Sequence, residues 1–232
     1  MKTELKYLNK PNLFSNNSKL IKIDKDEKGT YAIFDSTIFY PQGGGQESDK
    51  GFIVIDGKKT DIYLVLSNDN IIKHYGDFNQ LNLKDVKVEQ YIDENVRKIN
   101  SKSHTAGHLV AVVIEKLYNI KATKAYHFLT GPYVEFQSNT NIDIDKVNKV
   151  LKDEISSKKN VEIKYLTKEE LLKQDIAIPS FLENDIRVMI IDGYKPIPCG
   201  GTHLNSLSEL NEVSIKKTKL KKDKLKVSYS FL

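Results

Sequence analysis

The chain has a single cysteine, Cys199, among its 232 residues. That excludes an internal disulfide and leaves one thiol to be explained on its own. No uninterrupted apolar run approaches the roughly 20 residues needed to cross a bilayer, and the lysine-rich amino terminus lacks the apolar centre of a signal peptide. These absences lead to the expectation of a cytoplasmic protein with no membrane partner. Nucleotide fingerprints are missing as well. The one triple-glycine segment does not end in Gly-Lys-Ser/Thr, and no dinucleotide-binding pattern opens a helix. No internal repeat occurs, and the only biased segment is a lysine run near the carboxy terminus.

Apolar residues make up 39% of the chain, enough to fill one large core or two small ones. The net charge of +5 is unevenly spread: residues 1–90 hold 13 lysines against 13 acidic residues, whereas the remainder holds 23 basic against 18 acidic. The densest run is Lys216, Lys217, Lys219, Lys221, Lys222, Lys224 and Lys226, relieved only by Asp223. Such a run can neutralise a phosphate backbone. It can equally coat an edge strand and keep it from pairing with other chains. On the first reading, Lys216, Lys217, Lys219, Lys221 and Lys222 are candidate RNA contacts.

Residues 1–90 read as short strands at Lys19–Ile23, Tyr31–Phe34, Phe52–Ile55, Ile62–Leu66 and Ile71–Tyr75. Turn residues separate them, including Asp56-Gly57 and Asn68-Asp69-Asn70, and the pattern predicts a small β-barrel. The character changes near Asp93, so the expected domains are 1–90 and 91–232. Val96, Ile99, Ser103, Ala106, Val110, Val113 and Leu117 recur at helical spacing and predict a long helix ending near Asn119. A second helix is expected from about Asp145 through Lys158. A strand at Val161–Leu166 follows, then a short helix opened by a Thr167/Glu170 capping box. Strands are expected again at Ile186–Ile191, Asn211–Thr218 and Leu225–Phe231. The fold class is therefore α+β, with the barrel first.

His104 and His108 lie four apart in the strongest helix, so their imidazoles stack one turn above each other and can converge on one ion. Alone, such a pair is weak. Cys199 and His203 repeat the spacing around Gly200, Gly201 and Thr202, two glycines expected to let the backbone turn sharply. Thiolate and imidazole are the ligands zinc prefers, and four of the chain's six Cys and His residues fall in these two pairs. His104, His108, Cys199 and His203 are thus candidate Zn²⁺ ligands. A catalytic ion needs an open position, which makes His203 the candidate to yield, with an activated water on zinc held by His104, His108 and Cys199. The bland alternative is a closed structural zinc.

The other conspicuous segment runs Phe39, Tyr40, Pro41, Gln42, Gly43, Gly44, Gly45, Gln46, then Asp49 and Gly51. Adjacent glycines mark backbone that must take positive φ or be approached closely. A bound phosphate or ribose would fit; so would a tight loop between strands.

His104 to His108 preceded by Arg97, and Cys199 to His203 preceded by Ile186, Arg187 and Val188, resemble the editing domain of alanyl-tRNA synthetases and of their free-standing, medium-length relatives. The Phe39–Gly51 segment resembles the glycine-rich stretch upstream of that domain, and Tyr133, Val134, Glu135 and Phe136 occupy the place of another family strand. The resemblance implies a barrel followed by an α+β editing domain of the type common to threonyl- and alanyl-tRNA synthetases. It also implies zinc-dependent hydrolysis, in trans, of serine or glycine esters of alanine tRNA, a quality-control step in translation. No room remains for an aminoacylating ligase core, and a monomer or weak dimer is expected. Gly43, Gly44, Gly45, Gln46, Thr105, Thr202 and His127 are the implied substrate contacts. Departures exist: the family's carboxy-terminal arginine-rich strand is here lysine-rich, and the glutamine ahead of the middle strand is replaced by Ala125, Tyr126, His127 and Phe128. A stacked structural histidine is the other reading of His127. Gly44, Gly45 and Gln46 also resemble the hydrolytic tripeptide of release factors, a reading that leaves the metal pairs idle. A noncatalytic zinc-stapled tRNA-binding module and editing of serine-charged threonine tRNA are further alternatives. Editing fits the physics, since one pocket cannot strongly reject a near-isostere of alanine and a second, hydrolytic site improves accuracy.

Overall fold

Alternating strands in one stretch and helical periodicity in the next build two units, Met1–Asn100 and Ser101–Leu232. The computed structural model describes residues 3–68, 71–78, 86–176, 178 and 185–231.

The first unit contains β1 (Glu4–Leu5), β2 (Ser15–Asp26), β3 (Gly29–Phe34), β4 (Ser36–Thr37), β5 (Gly51–Ile55), β6 (Lys58–Asn68), β7 (Ile71–Gly76) and β8 (Lys87–Ile92). Six of these close into a barrel in the order β2-β3-β7-β6-β5-β8. Leu20, Phe34, Ile53, Ile62, Val65, Ile72 and Val88 point inward and fill it. Register shifts at Leu20/Lys22 and at Ile62/Leu64 supply bends that closure requires. Gly51 is obligatory at the β5–β8 crossing, where a Cβ would lie 2.1 Å from the Tyr91 carbonyl oxygen. Asp56 and Gly57 form the expected turn, both with positive φ, 48° and 73°. Of the turn expected at 68–70, residues 69 and 70 lie outside the described residues.

The sequence pattern did not foresee β8. Its inward positions are Val88, Gln90 and Ile92, and the polar Gln90 breaks the apolar period. Gln90 is tolerated because its amide nitrogen donates to Ser18 Oγ and the Ser36 carbonyl, both at 2.9 Å. His74 is a further buried polar group of the barrel. Its ring contacts Thr37 Oγ1 at 2.7 Å and the Ala32 carbonyl at 3.2 Å. A carbonyl only accepts, so Nδ1 carries the proton and Nε2 accepts from Thr37.

Burial lowers the His74 pKa from its ordinary 6.5 to about 4. The unfolded chain therefore binds the proton first as pH falls. The stabilisation is complete above about 6.5 and is lost through the window down to about 4. Over that window the loss is about 3 kcal/mol at 1.36 kcal/mol per pH unit. Urea midpoints measured between pH 7 and 4 are expected to fall, and His74→Gln should flatten that part of the profile. An unchanged slope in the variant would contradict the assignment.

Helix α1 (Glu94–Tyr118) starts in the first unit and continues through the second. Asp93 caps it, accepting from the amides of Asn95 and Val96 at 2.9 and 3.1 Å. Asn119, with φ 53°, ends it in the left-handed conformation usual past a helix end. The second unit continues with β9 (Lys121–Tyr126), β10 (Tyr133–Gln137), α2 (Ile144–Ser156), β11 (Val161–Leu166), α3 (Lys168–Leu172), β12 (Ile186–Ile191), β13 (Ile197–Pro198), β14 (Val213–Lys221) and β15 (Lys224–Phe231). The Thr167/Glu170 capping box is formed in full. One sheet has the order β14-β15-β10-β9 and a second the order β11-β12-β13. Leu109, Val110, Val113 and Ile114 of α1 share a core with Val134, Phe136, Leu151, Met189, Leu225 and Val227. Because α1 is buried from Ser103 through Gly107, the polar residues of that stretch face protein and need partners there. The resulting fold is α+β, a closed six-stranded barrel followed by a unit of two sheets and helices.

Candidate metal centre

The middle of α1 and the loop after β13 bring His104, His108, Cys199 and His203 together, each offering one ligand atom, all within 4.8 Å of one another. Cys199 Sγ lies 3.5 Å from His104 Nε2 and 3.2 Å from His203 Nε2. The His104 and His108 rings stack at 4.8 Å with a 16° interplanar angle, as one helical turn dictates. Such a donor set can hold a metal ion. An independent sign of fit is His108 Nε2, which is buried and has no hydrogen-bond partner. A buried polar atom left this way costs free energy unless something coordinates it.

Burial keeps the imidazoles neutral. It holds His104 and His203 well below the ordinary histidine range and His108 at about 3. A neutral imidazole presents a lone pair, the form a metal needs. Burial pushes the Cys199 thiol up, opposed by the Gly201 amide and the Arg187 guanidinium. Gly201 N–H points at Cys199 Sγ at 3.4 Å, and Arg187 Nη1 donates to the Cys199 carbonyl at 2.5 Å. The Cys199 amide in turn donates to the Arg187 carbonyl at 3.1 Å, which extends the β12 pairing into the loop. Contrary to the expected sharp glycine turn, neither Gly200 nor Gly201 takes a positive φ. A Cβ at Gly200 would meet nothing within 4 Å, so that exposed position of the loop borders open space.

Thr105 and Thr202 are fully buried and hold the loop on α1. Thr105 Oγ1 accepts from the Leu204 amide at 3.1 Å and lies 3.4 Å from His203 Nδ1; Ser101 Oγ donates to Thr202 Oγ1 at 2.8 Å. His127 stacks on His104 at 4.5 Å with a 28° interplanar angle. Its Nδ1 lies 2.8 Å from the Tyr229 hydroxyl, which donates its only proton to the Ser103 carbonyl at 3.0 Å. Nδ1 therefore carries the imidazole proton, and the Nε2 lone pair is left for another partner. Ser103 Oγ donates to the His127 carbonyl at 2.6 Å. Gly107 is required here: a Cβ on it would lie 2.2 Å from both Cε1 and Nδ1 of His127 and 2.6 Å from the Tyr229 oxygen.

The glycine-rich segment lies in the first unit. Gly43 and Gln46 exchange backbone hydrogen bonds of 3.1 and 2.9 Å, and Gly44 and Gly45 between them have φ 55° and 80°. This two-residue turn needs positive φ at both central positions, which accounts for two of the glycines. Gln46 is 1% exposed, so the accessible part of the turn is Gln42, Gly43 and Gly44. Asp49 anchors the segment. Its carboxylate accepts from the Tyr40 amide at 2.6 Å and pairs with Arg97, whose Nη2 also donates to the Ile38 carbonyl at 2.7 Å.

The five candidate RNA lysines divide. Pairing of β14 with β15 shifts register between Ile215 and Lys217, leaving Lys216 as the bulged residue. Beyond the bulge, Lys217, Lys219 and Lys221 are exposed and alternate with the half-buried Thr218 and Leu220. Lys222, at φ 56°, sits in the hairpin turn. Sequence reasoning overlooked Ser103 and Tyr229, and quoted Arg187 without giving it a role. A tyrosine on the apolar inward row of β15 and a lone cation in the apolar run of β12 were the available signals, since each needs a buried partner.

The chain thus combines a closed β-barrel with an α+β unit that carries a His/Cys cluster between a helix and a loop. The profile of the family described as tRNA synthetases class II (A) matches residues 5–96. The chain is 28% identical over 215 residues to an alanine–tRNA ligase of Methanobrevibacter smithii, covering 87% of this chain and 24% of the ligase. It is 28% identical over 222 residues to the alanyl-tRNA editing protein AlaX-L of Pyrococcus horikoshii, covering 90% of this chain and 53% of that protein. To AlaX-M of Methanosarcina barkeri it is 29% identical over 208 residues, with 83% and 85% covered. The chain thus spans about a quarter of the ligase and about half of AlaX-L. Its similarity is to alanyl-tRNA editing proteins and to a part of alanine–tRNA ligases. Among the described residues no helix is long and apolar enough to cross a membrane.

Proposed function

We propose that the chain is a zinc-dependent aminoacyl-tRNA deacylase that clears serine- or glycine-charged alanine tRNA in trans. The observation that carries the reading is the convergence of His104, His108, Cys199 and His203 from segments nearly a hundred residues apart. Similarity to proteins named for alanyl-tRNA editing supports the substrate class. His104, His108 and Cys199 would hold the ion firmly. His203, at the end of the loop, is the ligand that would give way. Bound zinc supplies Lewis-acid polarisation of an ester carbonyl and lowers the pKa of water toward about 7. The protein's own groups do the rest. Arg187 and the Gly201 amide favour the thiolate of Cys199, and Thr105 orients His203. His127, fixed through Tyr229 and Ser103, offers its Nε2 lone pair to the hydroxyl or amino group of the esterified residue. In the first unit, the accessible backbone of Gly43 and Gly44 is the part of the glycine-rich turn suited to an acceptor end. Cytoplasmic translation quality control follows as the setting.

Deacylation of alanine tRNA charged with serine, glycine and alanine tests the reading, with serine-charged threonine tRNA as a fourth arm. Loss of the serine or glycine ester with alanine retained is the expected result. Hydrolysis of the alanine ester at the same rate, or of none, would refute it. A full complement of zinc in an inert protein would point to a structural ion instead.

A further inference from the structure

Strand alternation puts His127 inward and its neighbours Tyr126 and Phe128 on the other side of the sheet, where both are half-exposed. Tyr126 stacks on Phe128 at 4.4 Å and 19°, and on Tyr133 of β10 at 5.6 Å and 22°. Lys226 of β15 caps the far side, its Nζ 3.5 Å from the Tyr133 centroid. Three nearly parallel rings thus end in a cation on one side. Among the described residues no ring or cation caps the Phe128 end.

The register sets charge beside this stack. Lys219 pairs with Lys226, and Lys226 with Glu135, which pairs with Lys124. Grooves of ≈ 440 and ≈ 430 Å³, both lined by Lys219 and Lys226, run along the face. Cations spaced along a groove complement a phosphodiester backbone, and exposed aromatic faces complement unpaired bases. This is the combination that distinguishes single strands from duplexes. Folding alone does not call for half-exposed stacked rings on a solvent face. β9 is, moreover, the edge of its sheet, and His127 follows it directly. A strand stacked here has only to round that edge to bring its terminus to the inward side.

We infer that Tyr126, Phe128 and Tyr133, with Lys219 and Lys226, form a platform for the unpaired 3′ end of an RNA. A base adds to the stack at Phe128, and the phosphates follow the lysines. The inference rests on the proposed RNA-ester substrate and names the surface that holds it.

The test is fluorescence anisotropy of the full chain with an RNA hairpin carrying a short unpaired 3′ tail, against the same hairpin blunt-ended. The tailed RNA should bind about tenfold tighter, the effect of one stacked base. Tyr126→Ser with Phe128→Ser should abolish that preference and spare blunt binding. Lys219→Gln with Lys226→Gln should weaken both RNAs and reduce the salt slope. A photoreactive tail should crosslink within residues 124–133 of the unmodified chain, which decides the matter even if the serine variant misfolds. Equal binding of tailed and blunt RNA, or crosslinks elsewhere, would overturn the platform. Tail binding without deacylation would sink only the enzyme reading; deacylation indifferent to the platform variants would sink only the platform.

Discussion

Cys199→Ala is expected to empty the second unit of metal and to abolish hydrolysis with it. Cys199 supplies the only group in the cluster able to carry negative charge, and its sulfur lies within 3.5 Å of two imidazole nitrogens. Without it the ion would face neutral histidines in a site where burial disfavours charge. Losing an outer-shell partner of a metal costs about 10–100-fold in affinity or activity, and losing the anionic ligand should cost more. Elemental analysis for zinc and a deacylation time course on the same sample measure both. A variant that keeps its zinc and its rate would show that the thiol is a bystander.

The second large effect lies in the barrel unit. Arg97→Met should lower stability by about 3–5 kcal/mol, because it strands the Asp49 carboxylate, which is fully buried at 0% exposure. Asp49→Leu should cost a similar amount by stranding the guanidinium. The double variant removes both charges and should recover part of the loss, not all of it. Arg97 also donates to the Ile38 and Pro11 carbonyls, and Asp49 also accepts from the Tyr40 amide. Urea denaturation of the three variants gives the comparison. Single variants within about 0.5 kcal/mol of the parent, the usual range for surface changes, would mean that the pair does not hold the glycine-rich segment.

Much of this could be read from one sequence because strong periodicity and obligatory chemistry leave few choices. The long α1 pattern, the Thr167/Glu170 box and the strand at Val161–Leu166 all appear at or near their expected bounds. That the two His/Cys pairs would come together was legible since few residue types serve as metal ligands and the helix fixes the geometry of one pair. Strands β8 and β9 were not. Gln90 hides the inward row of the first, and Lys121–Tyr126 is a short edge strand with little apolar content. The Ser103–Tyr229–His127 chain could not be seen at all, because it joins residues up to 126 positions apart through hydrogen bonds that leave no mark on local pattern.

Gly107 ties two parts of the chain that selection could otherwise vary separately. A methyl group at that point of α1 would occupy the volume of the His127 ring. Alanine at 107 and an imidazole at 127 are therefore alternatives for this backbone, and because the same methyl would also lie 2.6 Å from the Tyr229 oxygen, a chain could release the helix from its need for glycine only by changing both partners together.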